Sequence, residues 1–328
     1  SASSLVIPAS FVYKKSTYSL IFSIMDRSVN PSILFFGTPE FALPTLRGLI
    51  EAGYPIVGVI TNPDEPIGRK HILTPPPVKT LAEKYSIPIF QPEKLRRELW
   101  DREIPSADLF IVAAYGKIIP KSILEIPKYG TLNIHPSLLP RWRGAAPIQS
   151  AILAGDVDTG VTIMQLDEFM DHGPIMAQEI VHIGKRKITY PELHDELAEV
   201  GAKLLLETIP KWVDGAIIPT LQNDTKAIYC ATLTKDNGRI DWKRPAQEIE
   251  RMARALNPWP GTWTLWRDND KMRRIRIDEA DAAPDEPRHG APGLVWGSTD
   301  PPSSRQVGTS EELFSLKENK KALLVKTG

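Results

Sequence analysis

The sequence has a single cysteine, Cys230, among its 328 residues. One thiol excludes an internal disulfide and any cluster of thiolates around a metal ion. We therefore expect Cys230 to be an inert, small apolar residue. The chain also lacks any apolar run approaching the roughly 18 residues that form a membrane span, so no membrane partner is expected.

The chain has no net charge either, because 40 basic residues balance 40 acidic ones. A nucleic-acid partner would therefore have to be bound by local basic patches and not by overall attraction. No Gly-x-Gly-x-x-Gly motif occurs, which excludes the pyrophosphate cradle of dinucleotide-binding folds.

What the sequence does contain is a polar pair at the end of an apolar strand, in the run Leu132-Asn-Ile-His-Pro136. Side chains alternate along a strand, so the two aliphatic residues face one way and Asn133 and His135 face the other. Pro136 ends the strand because it has no N–H for the ladder. In open α/β sheets, ligands bind at such strand ends.

A carboxylate follows downstream in Met170-Asp-His-Gly-Pro174, a turn between two apolar, strand-like runs. An Asn and a His at a strand end can simply cap backbone groups. With Asp171 added, amide, imidazole and carboxylate together suit acyl transfer to an amine: one group holds the carbonyl, one moves the proton and one orients the base.

The N-terminal part of the chain alternates strands and helices. We predict a strand over 32–36, a helix with Thr38 as N-cap and Pro39 at its first position, a stop at Gly53, and a strand over 55–60. Further strands are predicted at 87–90, 108–114, 161–166 and 174–183, and helices at 78–85, 93–102 and 145–153. This βαβ pattern implies a parallel sheet with right-handed crossovers.

Residues 61–77 are rich in Pro and Gly and are predicted to form an exposed irregular loop. Thr189-Tyr-Pro-Glu192 is a capping box that opens a long helix stopped by Gly215. Beyond it, short strand-like segments separated by turns favour a small β barrel. The predicted organisation is thus an extension over 1–30, a parallel-sheet α/β domain over 31–215, a linker over 216–236 and a barrel over 237–328.

Several motifs carry a resemblance to a known family. The chain resembles the folate-dependent formyltransferases through Asn133-Ile-His-Pro-Ser-Leu-Leu-Pro140 followed by Asp171. A longer set is similar to the branch of that family that acts on methionyl-tRNA. It comprises Ser137-Leu-Leu-Pro-Arg-Trp-Arg-Gly-Ala-Ala-Pro-Ile-Gln149, Phe36-Gly-Thr-Pro-Glu-Phe41, Val112-Ala-Ala-Tyr-Gly-Lys-Ile-Ile-Pro120, Thr159-Gly-Val-Thr-Ile-Met-Gln-Leu-Asp167, Arg239-Ile-Asp-Trp242 and Asn257-Pro-Trp-Pro-Gly261.

The resemblance implies a Rossmann-like formyltransferase domain and a C-terminal barrel related to the oligonucleotide-binding fold. It implies transfer of a formyl group from 10-formyltetrahydrofolate to the α-amine of methionine on initiator tRNA, without a metal. Asn133 and protonated His135 are then the candidates for holding the oxyanion, and Asp171 orients His135. The folate would be bordered by Ser137, Leu138, Leu139 and Pro140.

Five basic residues are candidates for tRNA contact. The 61–77 loop resembles the family's tRNA-probing loop, with Arg69 as its key arginine, although His71 and Ile72 replace further lysines and leave Lys70 as the nearest cation. Arg143 is expected to contribute as well. Arg274 and Arg276 share one strand face, which fits either phosphate contacts or an ordinary solvated edge strand.

The sequence leaves the acceptor substrate open. A sugar-nucleotide N-formyltransferase would use the same donor and the same catalytic residues on another amine.

The nature of residues 1–30 is open as well. They are rich in serine with no acidic residue before Asp26, as in a transit peptide. An extension ahead of an internal start at Met25, or a segment foreign to the natural protein, fits equally. We favour the extension, and expect a cytoplasmic, bacterial, monomeric protein; a transit peptide would instead indicate a mitochondrion or plastid.

Overall fold

Strand β1 (Ile33–Gly37) is an interior strand of a seven-stranded sheet in the computed structural model of the chain. The structure describes residues 30–68, 70–100, 102–184, 186–268, 271–282, 295–297 and 323–325. The predicted extension over 1–30 lies outside these residues except for its last position. All five residues of β1 are buried.

The elements follow the alternation that the sequence predicts. The remaining strands are β2 (Ile56–Ile60), β3 (Glu65–Ile67), β4 (Ile72–Thr74), β5 (Ile89–Phe90), β6 (Leu109–Ala113), β7 (Thr131–His135), β8 (Arg143–Gly144), β9 (Asp158–Gln165), β10 (Ile175–His182), β11 (Tyr229–Cys230), β12 (Thr262–Asp268), β13 (Lys271–Ile277), β14 (Val295–Gly297) and β15 (Leu323–Val325). The α-helices are α1 (Leu43–Glu51), α2 (Pro77–Lys84), α3 (Arg97–Trp100), α4 (Lys121–Leu124), α5 (Pro147–Ala154), α6 (Tyr190–Val213) and α7 (Ala246–Leu256).

The central sheet is mostly parallel and Rossmann-like, as predicted. Its strand order is β10-β9-β7-β6-β1-β2-β5. The five strands from β7 to β5 are parallel, β9 runs antiparallel to β7, and β10 runs antiparallel to β9. Its two faces bury separate cores: Ile33 and Phe35 belong to one, Leu34 and Phe36 to the other. This alternation follows from the strand period of two.

The capping box that was predicted for the long helix is confirmed. The Glu192 carboxylate accepts the Thr189 N–H at 2.9 Å and the Thr189 hydroxyl at 2.7 Å, and α6 begins at the next residue, Tyr190. Gly215 follows the helix with a φ of +71°. Helix α6 packs against α1 and against β9 and β10, and so covers one face of the sheet.

Thr38 does not cap the first helix, so that prediction is wrong. Its hydroxyl donates to the Tyr115 carbonyl at 3.2 Å and accepts the Asn62 N–H at 3.4 Å. A 3₁₀ turn, Glu40–Ala42, precedes α1 instead. Thr38 therefore joins the carboxyl ends of β1, β2 and β6. Its hydrogen bond to Tyr115 spans 77 residues of sequence, so the local rules for helix capping could not predict it.

The segment 61–77 is more regular than predicted. Strands β3 and β4 pair antiparallel within it and form a hairpin. Lys70 is exposed, whereas Arg69 lies outside the described residues. The helix predicted over 93–102 is also shorter than expected and is confined to Arg97–Trp100.

The C-terminal part contains α7 and two antiparallel strand pairs. β12 pairs with β13 and β14 with β15, as two separate two-stranded sheets among the described residues. An OB-like barrel over 237–328 therefore stays a prediction. In the part of the chain that the structure describes, no helix has the length and apolarity to cross a membrane.

Candidate active site

The polar pair of β7 lies at the carboxyl end of the parallel strands. Leu132 and Ile134 pack into the core beneath α6, and Asn133 lies on the opposite face beside Val112 of β6. His135 is buried, and its Nε2 is 3.0 Å from the Trp142 carbonyl oxygen. Since a carbonyl only accepts, that ring nitrogen carries the proton.

Asp171 faces the other nitrogen of the same ring. Its Oδ1 is 3.7 Å from His135 Nδ1, and its Oδ2 accepts the Gly144 N–H at 2.8 Å. Both groups facing the His135 ring are acceptors, so the doubly protonated ring offers a donor to each. The structure thus brings together two residues that are separated by 36 positions in the sequence.

The Asn133 side chain is available for a ligand. It is half-buried, between Val112 on one side and Met164 of β9 on the other. Among the described residues it has no hydrogen-bond partner. A side-chain amide offers both donors and an acceptor, so it can hold a carbonyl oxygen beside the imidazole.

Gly144 is required where it stands. Its φ is +117°, and a Cβ there would lie 2.2 Å from the Cys230 carbonyl oxygen. This close approach comes from the parallel pairing of β8 with β11, in which Gly144 lies opposite Cys230. The glycine therefore lets β11 pack against the strand whose N–H holds Asp171.

Arg143 is buried, contrary to the expected tRNA contact. Its side chain is 1% exposed. The guanidinium donates to Gln222 Oε1 at 3.0 Å, to the Tyr229 hydroxyl at 3.1 Å and to Asp224 Oδ1 at 2.8 Å. Each of the three guanidinium nitrogens is thus bonded within the protein, and this pairing and burial favour a structural role for Arg143 over a phosphate contact.

The turn from Ser137 to Pro140 is held in place by hydrogen bonds to the Thr162 hydroxyl. The Thr162 hydroxyl donates to the Ser137 carbonyl at 2.7 Å and accepts the Leu139 N–H at 3.1 Å. Ser137 and Leu139 are buried, and the Ser137 hydroxyl donates to the Arg141 carbonyl at 2.6 Å. Only Leu138 and Pro140 are partly exposed, so these two are the positions of the turn that remain for ligand contact.

The arginine that follows this turn is neutralised by an acid. Arg141 forms two hydrogen bonds with the Asp156 carboxylate, at 2.9 and 2.6 Å, and the Trp142 indole N–H donates to the same carboxylate at 2.7 Å. Arg141 also lies over the Trp142 ring, 4.4 Å from its centroid. The aromatic and basic residues of this segment therefore shape the loop around His135.

Sequence reasoning missed two polar residues at the ends of the two strands that flank β1. Asn62 follows β2 and Tyr115 follows β6, and the Asn62 amide donates to the Tyr115 carbonyl at 3.4 Å. Asn62 Oδ1 and the Tyr115 hydroxyl are buried without a hydrogen-bond partner among the described residues. Burial raises the pKa of Tyr115 to about 12. The available signal was their position two residues after apolar parallel strands, at the sheet edge where ligands bind.

A second imidazole lies next to Asp171. His172 Nδ1 is 2.6 Å from Asp167 Oδ2, and its Nε2 is 3.4 Å from Asp224 Oδ2. The hydrogen bond to Asp167 raises the pKa of His172 above its usual value of 6.5. The hydrogen bond from Arg143 in turn lowers the pKa of Asp224.

The two arginines predicted for the barrel share one face of the β12–β13 hairpin but differ in their surroundings. Arg274 lies over the ring of Trp263, 4.1 Å from its centroid. Arg276 Nε is 2.6 Å from Asp278 Oδ1. Arg276 is thus already ion-paired, whereas Arg274 has no ion pair among the described residues.

Comparison with known proteins identifies the family. The Formyl transferase family matches residues 31–209, and its C-terminal domain matches residues 232–325. The methionyl-tRNA formyltransferase of Marinobacter nauticus is 50% identical over 252 residues, which cover 76% of this chain and 79% of that protein. That of Symbiobacterium thermophilum is 48% identical over 266 residues, which cover 80% of each chain.

Solved structures share the fold at low identity. A 4-N formyltransferase from Francisella tularensis matches with a TM-score of 0.59 at 18% identity, over 76% of this chain and 98% of that one. HypX from Aquifex aeolicus in complex with tetrahydrofolic acid matches with a TM-score of 0.51 at 20% identity, over 72% of this chain and 36% of that one. With two family domains matched in order and relatives near 50% identity over three quarters of its length, this chain belongs to the methionyl-tRNA formyltransferase family.

Proposed function

We propose that the chain transfers the formyl group of 10-formyltetrahydrofolate to the α-amino group of methionine on initiator tRNA. The observation that carries the proposal is the meeting of Asn133, His135 and Asp171 at the carboxyl end of β7, with Asp171 Oδ1 3.7 Å from His135 Nδ1. The relatives near 50% identity bear the name of this activity.

The oxyanion of the transfer is held by the strand-end pair. When the neutral amine attacks the formyl carbon, the formyl oxygen gains negative charge, which donors already in place stabilise. The Asn133 amide and protonated His135 supply such donors. Asn133 has no hydrogen-bond partner among the described residues. His135 already donates from Nε2 to the Trp142 carbonyl at 3.0 Å, so the donor that it offers the oxyanion is Nδ1–H, which faces Asp171 at 3.7 Å.

His135 also moves the proton. A new C–N bond forms to the methionine nitrogen and the C–N bond to the donor's N10 breaks, so the incoming amine loses one proton and N10 gains one. Protonated His135 can pass this proton by giving its own to N10 and then taking one from the amine, and general acid–base catalysis of this kind contributes about 10²–10⁴-fold. Asp171 balances the charge of the imidazolium and fixes the ring.

The folate lies along the strand-end edge in this proposal. Leu138 and Pro140 border it from the turn, with Ser137 and Leu139 supporting the backbone from within. Asn62 Oδ1 and the Tyr115 hydroxyl at the same edge are buried and have no hydrogen-bond partner in the described part of the chain. They fit a polar, ring-bearing ligand, because buried polar atoms are normally hydrogen-bonded.

The tRNA meets the chain through two basic regions. The β3–β4 hairpin carries Lys70, with Arg69 next to it in the sequence, and the predicted C-terminal domain over 237–328 carries Arg274 and Arg276. We propose that the hairpin probes the acceptor end and that the C-terminal domain holds phosphates. A cytoplasmic location and a monomeric state stay predictions.

The test is an acceptor comparison with the purified full chain. With 10-formyltetrahydrofolate as donor, we expect formylation of methionyl-tRNA, detected as N-formylmethionine after deacylation, and none of a 4-amino sugar nucleotide at equal concentration. Formylation of the sugar nucleotide without the tRNA product would instead assign the chain to the sugar-modifying branch.

A further inference from the structure

The segment between α6 and α7 is attached to the active site at two points. Thr220 exchanges two backbone hydrogen bonds with Ile175, at 2.8 and 2.9 Å, just after the Asp171 loop. Further along, Tyr229 and Cys230 form β11 and pair with β8. A stretch predicted as a linker is therefore held against the catalytic loop on one side and against the Arg143–Gly144 strand on the other.

Gln222 lies between these two attachments and contacts the catalytic loop directly. Its amide nitrogen donates to the Asp171 carbonyl at 2.9 Å and to the Gly173 carbonyl at 2.7 Å. Its amide oxygen accepts from Arg143 Nε at 3.0 Å. One side chain thus uses both donors and its acceptor to connect the loop to β8.

Arg143 anchors the bridge that the Gln222 side chain forms between the Asp171 loop and β8. A buried guanidinium is stable only where its donors are paired, and its planar fork fixes the direction of each bond. Here the fork binds Gln222, Asp224 and Tyr229, all from the segment after α6. The position of Gln222 is consequently set by a side chain that cannot turn toward solvent.

The bridge acts on a residue whose backbone needs support. Asp171 has a φ of +48°, a conformation uncommon for a residue with a Cβ, which persists where its surroundings fix it. The Gly144 N–H holds its carboxylate and the Gln222 amide holds its carbonyl. Both supports lead back to adjacent residues of β8.

We propose that Gln222, anchored by Arg143, is a positioning residue for Asp171, so that the segment after α6 is a part of the catalytic apparatus. The inference rests on the proposed function, because it assigns Asp171 the role of orienting His135. Gln222 itself touches neither substrate; it acts through the carboxylate that faces the imidazole.

The experiment uses Gln222→Met in the full chain, which keeps the length of the side chain and removes all three hydrogen bonds. We expect kcat for methionyl-tRNA formylation to fall, by up to about 10²-fold for a misplacement near 1 Å, with KM for both substrates changed less than about twofold. The matched control is Leu221→Gln, at the neighbouring position, which is 82% exposed; its kcat should equal that of the unmodified chain.

A double-mutant cycle separates positioning from general stabilisation. In an Asp171→Asn background, Gln222→Met should lower kcat less than about twofold, since residues that act as a unit are non-additive. Loss by the same factor in both backgrounds, or an unchanged kcat in Gln222→Met, would overturn the proposal. Full activity of the single variant Asp171→Asn would overturn the role of Asp171 and, with it, the positioning role of Gln222. The activity of this single variant is therefore measured separately from the double-mutant cycle.

Two further measurements test the proposal even if Gln222→Met folds poorly or the Asp171→Asn background is inactive. Gln222→Glu still accepts from Arg143 but donates to neither carbonyl, and it should lose kcat as Gln222→Met does. The proton signals of the His135 ring, assigned by comparison with His135→Gln, should shift in Gln222→Glu and stay in place in Leu221→Gln. Unmoved signals in Gln222→Glu would contradict the proposal even where no rate can be measured.

Discussion

His135 Nδ1 and Asp171 Oδ1 lie 3.7 Å apart, one at the end of β7 and the other in the loop before β10. Neither group is free to move away. The Trp142 carbonyl holds the far side of the imidazole at 3.0 Å, and the Gly144 N–H holds the second carboxylate oxygen at 2.8 Å. Trp142 and Gly144 belong to one short segment, so a single stretch of backbone sets the geometry of both.

Asp171→Asn should lower kcat nearly as much as loss of the imidazole, because the amide keeps the volume and removes the charge that supports protonated His135. Initial rates under saturating donor and methionyl-tRNA measure this. Glu168→Gln is the matched control: this acid lies three residues away and, among the described residues, pairs only with exposed Lys121, and such surface pairs contribute little. Equal rates for the two variants would reduce Asp171 to a turn residue.

Gly144→Ala should both destabilise the chain and reduce activity. The new Cβ would meet the Cys230 carbonyl oxygen at 2.2 Å with φ at +117°, and a strained backbone conformation alone costs on the order of 1–3 kcal/mol. Gly215→Ala is the control, since Gly215 also has a positive φ but nothing lies within 4 Å of its Cβ position. Urea unfolding should show a clearly larger loss of unfolding free energy for Gly144→Ala than for Gly215→Ala. Equal losses would mean that β11 moves away from the new Cβ without destabilising the fold.

The ion pairs of His172 predict a pH-dependent contribution to stability. Its pKa is raised above 6.5, chiefly by the hydrogen bond to Asp167. A raised pKa means that the stabilisation is fully present below the unfolded value and is lost as pH rises through the folded value. His172→Gln should therefore lower the free energy of unfolding more at about pH 5.5 than at about pH 9. Denaturant unfolding of both proteins at the two pH values measures this, and a difference that grows with pH would contradict the assignment.

The two arginines of β13 should differ in their contribution to tRNA binding. Arg274→Ala removes a cation with no ion pair among the described residues, so the slope of log K against log salt should fall by about one unit. Arg276 is already paired with Asp278 at 2.6 Å, so Arg276→Ala should change the slope less. Filter binding of methionyl-tRNA across a salt series tests both; a larger change for Arg276 would place the phosphate contact there.

Local patterns in the sequence predicted much of this architecture. The alternation along β7 placed Asn133 and His135 on one face, and the capping box placed the start of α6, because both depend on residues a few positions apart. The strand-end position of the site also follows from the parallel sheet. These features are set by backbone periodicity and short-range hydrogen bonds.

What the sequence did not predict depends on distant contacts. Arg143 was expected to meet tRNA, yet its partners Gln222 and Tyr229 lie 79 and 86 residues further along. Thr38 bonds to Tyr115 across 77 residues and so does not cap its neighbouring helix. A basic or hydroxyl side chain has the same sequence signature whether it meets solvent or a distant partner, so only the fold decides between them.

The most direct test of the central claim is single-turnover formyl transfer by Asn133→Ala and His135→Ala, at saturating 10-formyltetrahydrofolate and methionyl-tRNA. If each donor acts mainly in the transition state, each variant should lose about 10²–10³-fold in rate, with donor affinity nearly unchanged. Near-normal single-turnover rates in either variant would contradict the assignment of the reaction to this pair.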